Sequence, residues 1–106
     1  MSDRASSDPT VALPQVPVDD LRVDANVERF RRRAADLSSE VDLAVFPEYA
    51  LTGFAADERL REAALSRDAA RERLESVAEA ADAAVVAGYA ERDGGTAYNA
   101  TAYVPP

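Results

Sequence analysis

Five residue types are missing from the 106-residue sequence: cysteine, lysine, histidine, tryptophan and isoleucine. Without cysteine and histidine the chain cannot form a disulfide, a zinc–thiolate site or an iron–sulfur site within itself, and it has no cysteine–histidine or serine–histidine nucleophile pair. Without lysine it can form neither a P-loop nor a Schiff base with a carbonyl substrate. All 12 basic residues are arginines. The composition alone therefore excludes many classes of enzyme.

The charge balance and the apolar content describe a small acidic globular protein. There are 20 acidic against 12 basic side chains, the formal net charge is −8, and 47% of the residues are hydrophobic. This acidity disfavours binding to nucleic acid, which needs positive charge facing the phosphates. The apolar runs are too short to span a bilayer, and the first residues lack the apolar segment of a secretory signal. We therefore expect one cytoplasmic domain with no nucleic-acid or membrane partner.

Hydrophobic periodicity predicts alternating strands and helices after a polar N-terminus, residues 1–9, that we expect to be disordered. The predicted strands are 10–18, 42–46, 83–90 and 96–104, and the predicted helices are 23–37, 57–66 and 68–82. Residues 10–106 thus form one α/β domain of order β-α-β-α-α-β-β, in which a tight turn at 92–95 joins the last two strands as an antiparallel hairpin. Pro14 and Pro17 weaken the first strand, because proline cannot donate to a ladder.

Glu48 is the most suggestive single position. It follows the apolar run 42–46, whose pattern predicts a strand buried on both faces and hence a parallel β-α-β unit. Open α/β sheets bind their ligands beyond the carboxyl ends of such strands. A partly desolvated glutamate there has the chemistry of a general base. The alternative is a solvated glutamate that merely ends the strand, and position alone favours that alternative.

The residues around Glu48 form a recognisable motif. Segment 45–54 reads VFPEYALTGF. It resembles the first catalytic motif of the nitrilase superfamily, the carbon–nitrogen hydrolases, in which Phe-Pro-Glu is followed by Thr-Gly and an aromatic residue. The match is complete at residues 46–48 and 52–54. Other parts of the chain resemble the family pattern in the same order: Val11, Ala12 and Gln15 in the first strand, Asn26 early in the first helix, and Tyr98-Asn99 in the last strand.

This resemblance implies a fold, a reaction and a role for Glu48. The implied fold is the first part of an α-β-β-α sandwich, which pairs into dimers when full length. The implied reaction is hydrolysis of a non-peptide C–N bond in a linear amide, or in a carbamoyl or nitrile substrate, by a glutamate, a lysine and a cysteine, with no cofactor and no metal. Glu48 takes the role of the general base, which removes the proton of the cysteine thiol.

The absence of lysine and cysteine also bears on the reaction that the resemblance implies. The family's lysine and cysteine lie in later motifs, and neither residue type occurs in these 106 residues. We therefore expect the chain to be an incomplete N-terminal part of a carbon–nitrogen hydrolase domain, inactive by itself. The alternative is a non-catalytic acidic α/β module that binds a partner, or a decayed gene fragment.

Further candidates have simpler explanations beside the functional ones. Tyr49 and Phe54 follow the glutamate closely, and the resemblance implies that such positions shape the acyl pocket for the substrate, although core or dimer contacts explain them equally well. Asn99 is interpreted as structural, because a strand asparagine commonly satisfies a neighbouring loop. The arginines at 31–33 are interpreted as a solvated surface. The acidic pairs at 19–20 and 57–58 lack the spacing of a calcium loop and are interpreted as loop acids.

Overall fold

A computed structural model describes residues 8–106 of the chain. Most of the segment that we expect to be disordered, residues 1–9, therefore lies outside the described residues. The order of elements is β-α-β-α-α-β-β, which confirms the predicted order and the α/β class. The elements are β1 (Val11–Ala12), α1 (Val23–Ala35), β2 (Leu43–Val45), α2 (Arg59–Ala63), α3 (Arg67–Ala81), β3 (Ala84–Asp93) and β4 (Thr96–Val104).

The four strands form one mixed sheet in the order β1-β2-β3-β4. β1, β2 and β3 are parallel, and β4 returns antiparallel to β3. The turn between β3 and β4 consists of Gly94 and Gly95. The predicted parallel unit and the predicted terminal hairpin are thus confirmed, but β3 continues to Asp93 where the sequence pattern ends the strand at residue 90. Pairing with β4 explains the longer strand, because the ladder includes Arg92 and Asp93.

α1 and α3 pack against each other and cover one face of the sheet. Phe30 of α1 stacks on Phe46, just beyond β2, with ring centroids 4.8 Å apart. Leu74 and Val77 of α3 are fully buried, as is Val85 on the facing side of β3. Burying such side chains is the main favourable contribution to a core of this kind. No helix of the described chain is long and apolar enough to cross a membrane.

Capping explains where α3 begins and ends. The Ser66 hydroxyl accepts a hydrogen bond from the backbone N–H of Ala69 at 3.1 Å, which satisfies one of the free donors of the first turn. Asp82 ends the helix in the left-handed conformation, with φ of 52°. α1, by contrast, begins without a side-chain cap. Its stability therefore depends on the packing of residues such as Phe30.

Four predicted elements are shorter in the structure, among them the strand predicted at 42–46, which forms only Leu43–Val45. The predicted strand 10–18 pairs only at Val11–Ala12, because Pro14 and Pro17 interrupt the donors that a ladder needs. The predicted helix 57–66 forms only one short helix, Arg59–Ala63, with no buried residue. α1 ends at Ala35, two residues before the predicted end at 37.

The second face of the sheet is less completely buried than the face that packs against α1 and α3. Leu43 and Val45 of β2 and Val86 of β3 are half-buried on this face, and Tyr103 of β4 is 62% exposed. The prediction that β2 is buried on both faces is therefore wrong for the described chain. Only Ala44 of this strand, which faces the helices, is fully buried.

Candidate active site

The motif segment stays hydrogen-bonded to β3 after β2 has ended. The backbone N–H of Phe46 donates to the carbonyl of Val86 at 2.8 Å. The N–H of Gly88 then donates to the carbonyl of Pro47 at 3.2 Å, and the N–H of Leu51 donates to the carbonyl of Gly88 at 3.2 Å. The loop that contains Glu48 is therefore anchored to β3 at both of its ends.

A tight turn within the motif requires two unusual backbone conformations. Tyr49 has a φ of 55° and Gly53 has a φ of 66°. The N–H of Gly53 donates to the carbonyl of Tyr49 at 2.7 Å and closes the turn. A Cβ at Gly53 would lie 2.4 Å from Cα of Asp20, so only glycine fits this position. The Thr-Gly pair of the motif thus has a structural reason in this chain.

Thr52 connects the motif to β3 through its side chain. It is fully buried. Its hydroxyl donates to the carbonyl of Gly53 at 2.9 Å and accepts from the backbone N–H of Ala90 at 3.0 Å. The hydroxyl therefore satisfies a strand donor that would otherwise be buried without a partner.

Asn26 anchors the same loop from the helical side. It is fully buried at the start of α1. Its Nδ2 donates to the carbonyls of Asp19 at 2.8 Å and of Leu51 at 3.0 Å, and its Oδ1 accepts from the N–H of Asp19 at 2.8 Å. One amide side chain thus joins α1, the segment before α1 and the motif loop.

Glu48 lies at the carboxyl end of β2, as predicted, and its environment is that of the solvated alternative. Its side chain is exposed, so it is not partly desolvated in the described chain. Asn99, which lies on the same face of the sheet, is exposed as well. One carboxylate oxygen, Oε2, accepts a hydrogen bond from Nδ2 of Asn99 at 2.8 Å.

Tyr49 and Phe54 lie next to each other beside the motif turn. Their ring centroids are 5.1 Å apart and the rings are tilted by 53°. Tyr49 is half-buried, and Phe54 is 48% exposed. Phe54 also lines a cavity of about 470 Å³ with residues 55–58, 60–61 and 95–97, but Glu48 and Tyr49 do not line it. The cavity at Phe54 therefore lies apart from the carboxylate.

The remaining charged candidates make surface contacts. Arg31 pairs with Glu28 at 3.1 Å, and both side chains are about half exposed. Asp19 pairs with Arg29 at 3.2 Å. Asp57 pairs with Arg59 at 2.9 Å, and the hydrogen bond from Arg59 lowers the pKa of that carboxyl.

Acidic groups do not converge in the described region. Asp20 Oδ1 accepts from the backbone N–H of Phe54 at 3.2 Å, which is a loop contact. Residues 8–106 contain no group of three or more acidic side chains placed to hold a metal ion. The loop interpretation of the acidic pair at 19–20 agrees with these contacts.

Two residues of interest were not singled out by the sequence pattern. Gly88 interrupts the apolar run of β3, and a glycine inside a strand often marks a close backbone approach, so that signal was present.

Tyr89 is buried on the helical face, and its hydroxyl donates to Glu91. Burial, together with the hydrogen bond and the charge of Glu91, raises the pKa of Tyr89 to about 12, although the charge of Arg67 lowers it. Apolar spacing gives no signal for such a pair.

Comparison with known proteins places this geometry in a family. The model of the carbon-nitrogen hydrolase family matches residues 10–106. Similar solved structures include an amidase from Nesterenkonia sp., with a TM-score of 0.73 and 23% identity, and the CN-hydrolase superfamily protein XC1258 from Xanthomonas campestris, with 0.72 and 18%. An N-terminal amidase has a TM-score of 0.69 and 26% identity. No functionally curated protein matches the chain.

The solved relatives are much longer than this chain. Each comparison covers 90% of this chain but only 37%, 39% and 24% of the Nesterenkonia, Xanthomonas and N-terminal amidase chains. The matched stretch includes the motif loop, Asn26 and the strand with Asn99. Since the family model matches nearly all of the sequence and the sheet has the fold of solved members, the chain belongs to the carbon-nitrogen hydrolase family.

Proposed function

We propose that these residues form the part of a carbon–nitrogen hydrolase that supplies the general base, that Glu48 is this base, and that the substrate is a small linear amide. The observation that supports the proposal best is the position of Glu48. It stands at the carboxyl end of a parallel strand, in a loop anchored to β3, with its carboxylate on the same face of the sheet as Asn99. Ligands of open α/β sheets bind at such strand ends.

The chemistry follows from what a carboxylate can do beside a thiol. Glu48 takes the thiol proton, and the resulting thiolate attacks the amide carbon to form a tetrahedral intermediate. The C–N bond then breaks, the amine leaves with the proton from Glu48, and a thioester remains. Water attacks the thioester while Glu48 takes one of its protons, and the carboxylic acid and the thiol are released. The thiol and a lysine that stabilises the oxyanion are the residues that the family resemblance implies.

Neither the thiol nor the lysine occurs in the 106 residues. A carboxylate without a nucleophile to activate has no covalent chemistry to perform. We therefore propose that the chain alone is inactive, and that it needs the two missing side chains from further sequence. The chain spans 37% of the Nesterenkonia amidase, which agrees with such a partial domain.

The choice of an amide is supported by two relatives. A double mutant of the Nesterenkonia amidase was solved with acrylamide, and the N-terminal amidase was solved with Asn-Glu and Gln-Gly peptides. These molecules contain carboxamide groups. A carboxamide releases ammonia on hydrolysis, which gives a direct assay for this chain's reaction.

The test is a hybrid amidase in which residues 10–106 of this chain replace the matching segment of the Nesterenkonia amidase. We expect the hybrid to release ammonia from acrylamide, and the Glu48→Gln variant to lose activity by roughly a thousandfold or more, because the isosteric amide cannot accept the thiol proton. Glu79→Gln is the matched control, since Glu79 is an exposed glutamate on α3. Circular dichroism shows whether each hybrid is folded.

Two results would contradict the proposal. One is a folded hybrid with wild-type oligomeric state that releases no ammonia, and the other is a Glu48→Gln hybrid that keeps the activity of Glu79→Gln. The unfused 106-residue chain is the further control. Release of ammonia by this chain alone, in a manner that depends on Glu48, would show that a cysteine is not required.

A further inference from the structure

The hydrogen bond between Asn99 and Glu48 joins two strands that are not neighbours. Glu48 follows β2, Asn99 lies on β4, and β3 runs between them. From the 2.8 Å contact between Nδ2 of Asn99 and Oε2 of Glu48 we infer that Asn99 is a positioning residue, which fixes one carboxylate oxygen and leaves the other to accept a proton. This inference rests on the proposed function of Glu48 as the general base.

Small residues on β3 make the contact possible. Gly88 and Ala90 lie on the face of β3 over which the side chain of Glu48 extends to reach β4. Ala90 is directly opposite Asn99. A Cβ at Gly88 would lie 2.8 Å from Cα of Glu48, so the loop backbone rests on the glycine itself. A larger side chain at either position would stand between the carboxylate and the amide.

The pairing of β3 with β4 brings Asn99 close. The N–H of Ala90 donates to the hydroxyl of Thr52 at 3.0 Å, and its carbonyl accepts from the N–H of Leu65 at 2.9 Å. Both polar groups of Ala90 therefore point away from β4. Ala90 and Asn99 form a non-hydrogen-bonded pair, the kind in which opposite residues approach most closely. The amide of Asn99 is thus fixed over β3 on the side of Glu48.

The contact restrains an otherwise mobile side chain. An exposed glutamate has three side-chain torsions and samples several rotamers. Among residues 8–106, Glu48 forms no ion pair and no other side chain donates to its carboxylate. A general base has to lie within hydrogen-bond reach of the proton that it removes. The amide of Asn99 therefore selects one orientation of the carboxylate, while Oε1 stays free to accept the thiol proton.

The first test uses the 106-residue chain and needs no activity. In ¹⁵N-edited NMR spectra, we expect the Asn99 side-chain amide to resonate away from the free-amide position, and to return to it in Glu48→Ala. Glu79→Ala is the matched control and leaves the Asn99 signal unchanged. An Asn99 amide that is identical in the wild-type chain and in Glu48→Ala would overturn the inference, whatever the activity of any hybrid.

The second test measures kinetics in the hybrid amidase. We expect Asn99→Ala to lower kcat roughly 10- to 100-fold with KM changed less than about twofold, because a residue that only positions the base makes no contact with the substrate. Asn99→Asp has the same shape but lacks the donor, and we expect a loss at least as large. Thr101→Ala removes another exposed side chain two positions along the same face of β4, and we expect it to keep the wild-type kcat.

The variants separate this inference from the proposed function. Glu48→Gln could be inactive while Asn99→Asp keeps the wild-type kcat. That result would mean that Asn99 contributes only its shape. The positioning role of Asn99 would then be wrong, although Glu48 would still be the general base. A rise in KM at constant kcat for Asn99→Ala would also overturn it, since that result indicates contact with the substrate. An active Glu48→Gln hybrid would instead remove the proposed function, and with it the basis of the inference.

Discussion

The backbone of Glu48 rests directly on Gly88 of β3. A Cβ built at Gly88 would lie 2.8 Å from Cα of Glu48 and 2.8 Å from the backbone nitrogen of Tyr49. These atoms belong to the main chain, which cannot rotate away as a flexible side chain would. The hydrogen bonds of Gly88 with Pro47 and Leu51 hold the loop at this distance. The candidate base can therefore occupy its observed position only because residue 88 of the strand is a glycine.

The first prediction is that Gly88→Ala displaces the motif loop. The added methyl group forces the loop away from β3 and strains its hydrogen bonds, so we expect the free energy of unfolding to fall by about 2 kcal/mol in urea denaturation. Gly95→Ala is the matched control, because a Cβ at Gly95 meets nothing within 4 Å. We expect that control to change stability by less than about 0.5 kcal/mol. Equal effects of the two substitutions would contradict the close approach.

The second prediction concerns the buried amide of Asn26. Asn26→Ala removes three hydrogen bonds and leaves the backbone groups of Asp19 and the carbonyl of Leu51 without these partners. We expect the free energy of unfolding to fall by about 3 kcal/mol, since each buried group left unsatisfied costs on the order of 1 kcal/mol or more. Hydrogen exchange of the motif loop, measured by mass spectrometry, should accelerate in the same variant.

Glu28→Ala serves as the control for Asn26→Ala. Glu28 lies on the same helix, and its ion pair with Arg31 is about half exposed. Such pairs contribute roughly 0–1 kcal/mol. A loss in Asn26→Ala no larger than in Glu28→Ala would mean that water replaces the three hydrogen bonds.

The sequence predicted the order of elements and the motif, but not the surroundings of the motif. Apolar spacing identified α3 and the terminal hairpin, because their buried faces depend on local pattern. The position of Glu48 in the chain favoured a solvated side chain, and Glu48 is exposed, but its contact with β4 was not predictable from that position. The contact of Asn99 with Glu48 depends on a register between distant strands, which periodicity does not specify.

The third prediction is a loss of stability at alkaline pH that depends on Tyr89. Burial, followed by the hydrogen bond and the charge of Glu91, raises the pKa of its phenol from 10.0 to about 12. Between these two values the unfolded chain loses the phenolic proton while the folded chain retains it, so the unfolded state binds fewer protons and the free energy of unfolding falls as pH rises. This contribution is fully present below the unfolded pKa and is lost through the folded pKa, and it amounts to roughly 2–3 kcal/mol.

Urea denaturation at a series of pH values measures this dependence. In Tyr89→Phe we expect the fall in unfolding free energy between the two pKa values to become smaller, because no phenol titrates at this position. Tyr98→Phe is the matched control, since Tyr98 is 54% exposed. If the two variants have the same alkaline slope, Tyr89 does not retain its proton in the folded chain.

The last prediction separates the hydroxyl of Thr52 from its shape. Thr52→Val has nearly the same volume but leaves the buried N–H of Ala90 without its acceptor. We expect the free energy of unfolding to fall by roughly 1–3 kcal/mol in urea denaturation, the cost of an unsatisfied buried donor. Thr52→Ser keeps the hydroxyl and loses only a methyl group, so its loss should be the smaller of the two. A larger loss in Thr52→Ser than in Thr52→Val would show that packing of the methyl group, rather than the hydrogen bond to β3, holds the motif loop in place.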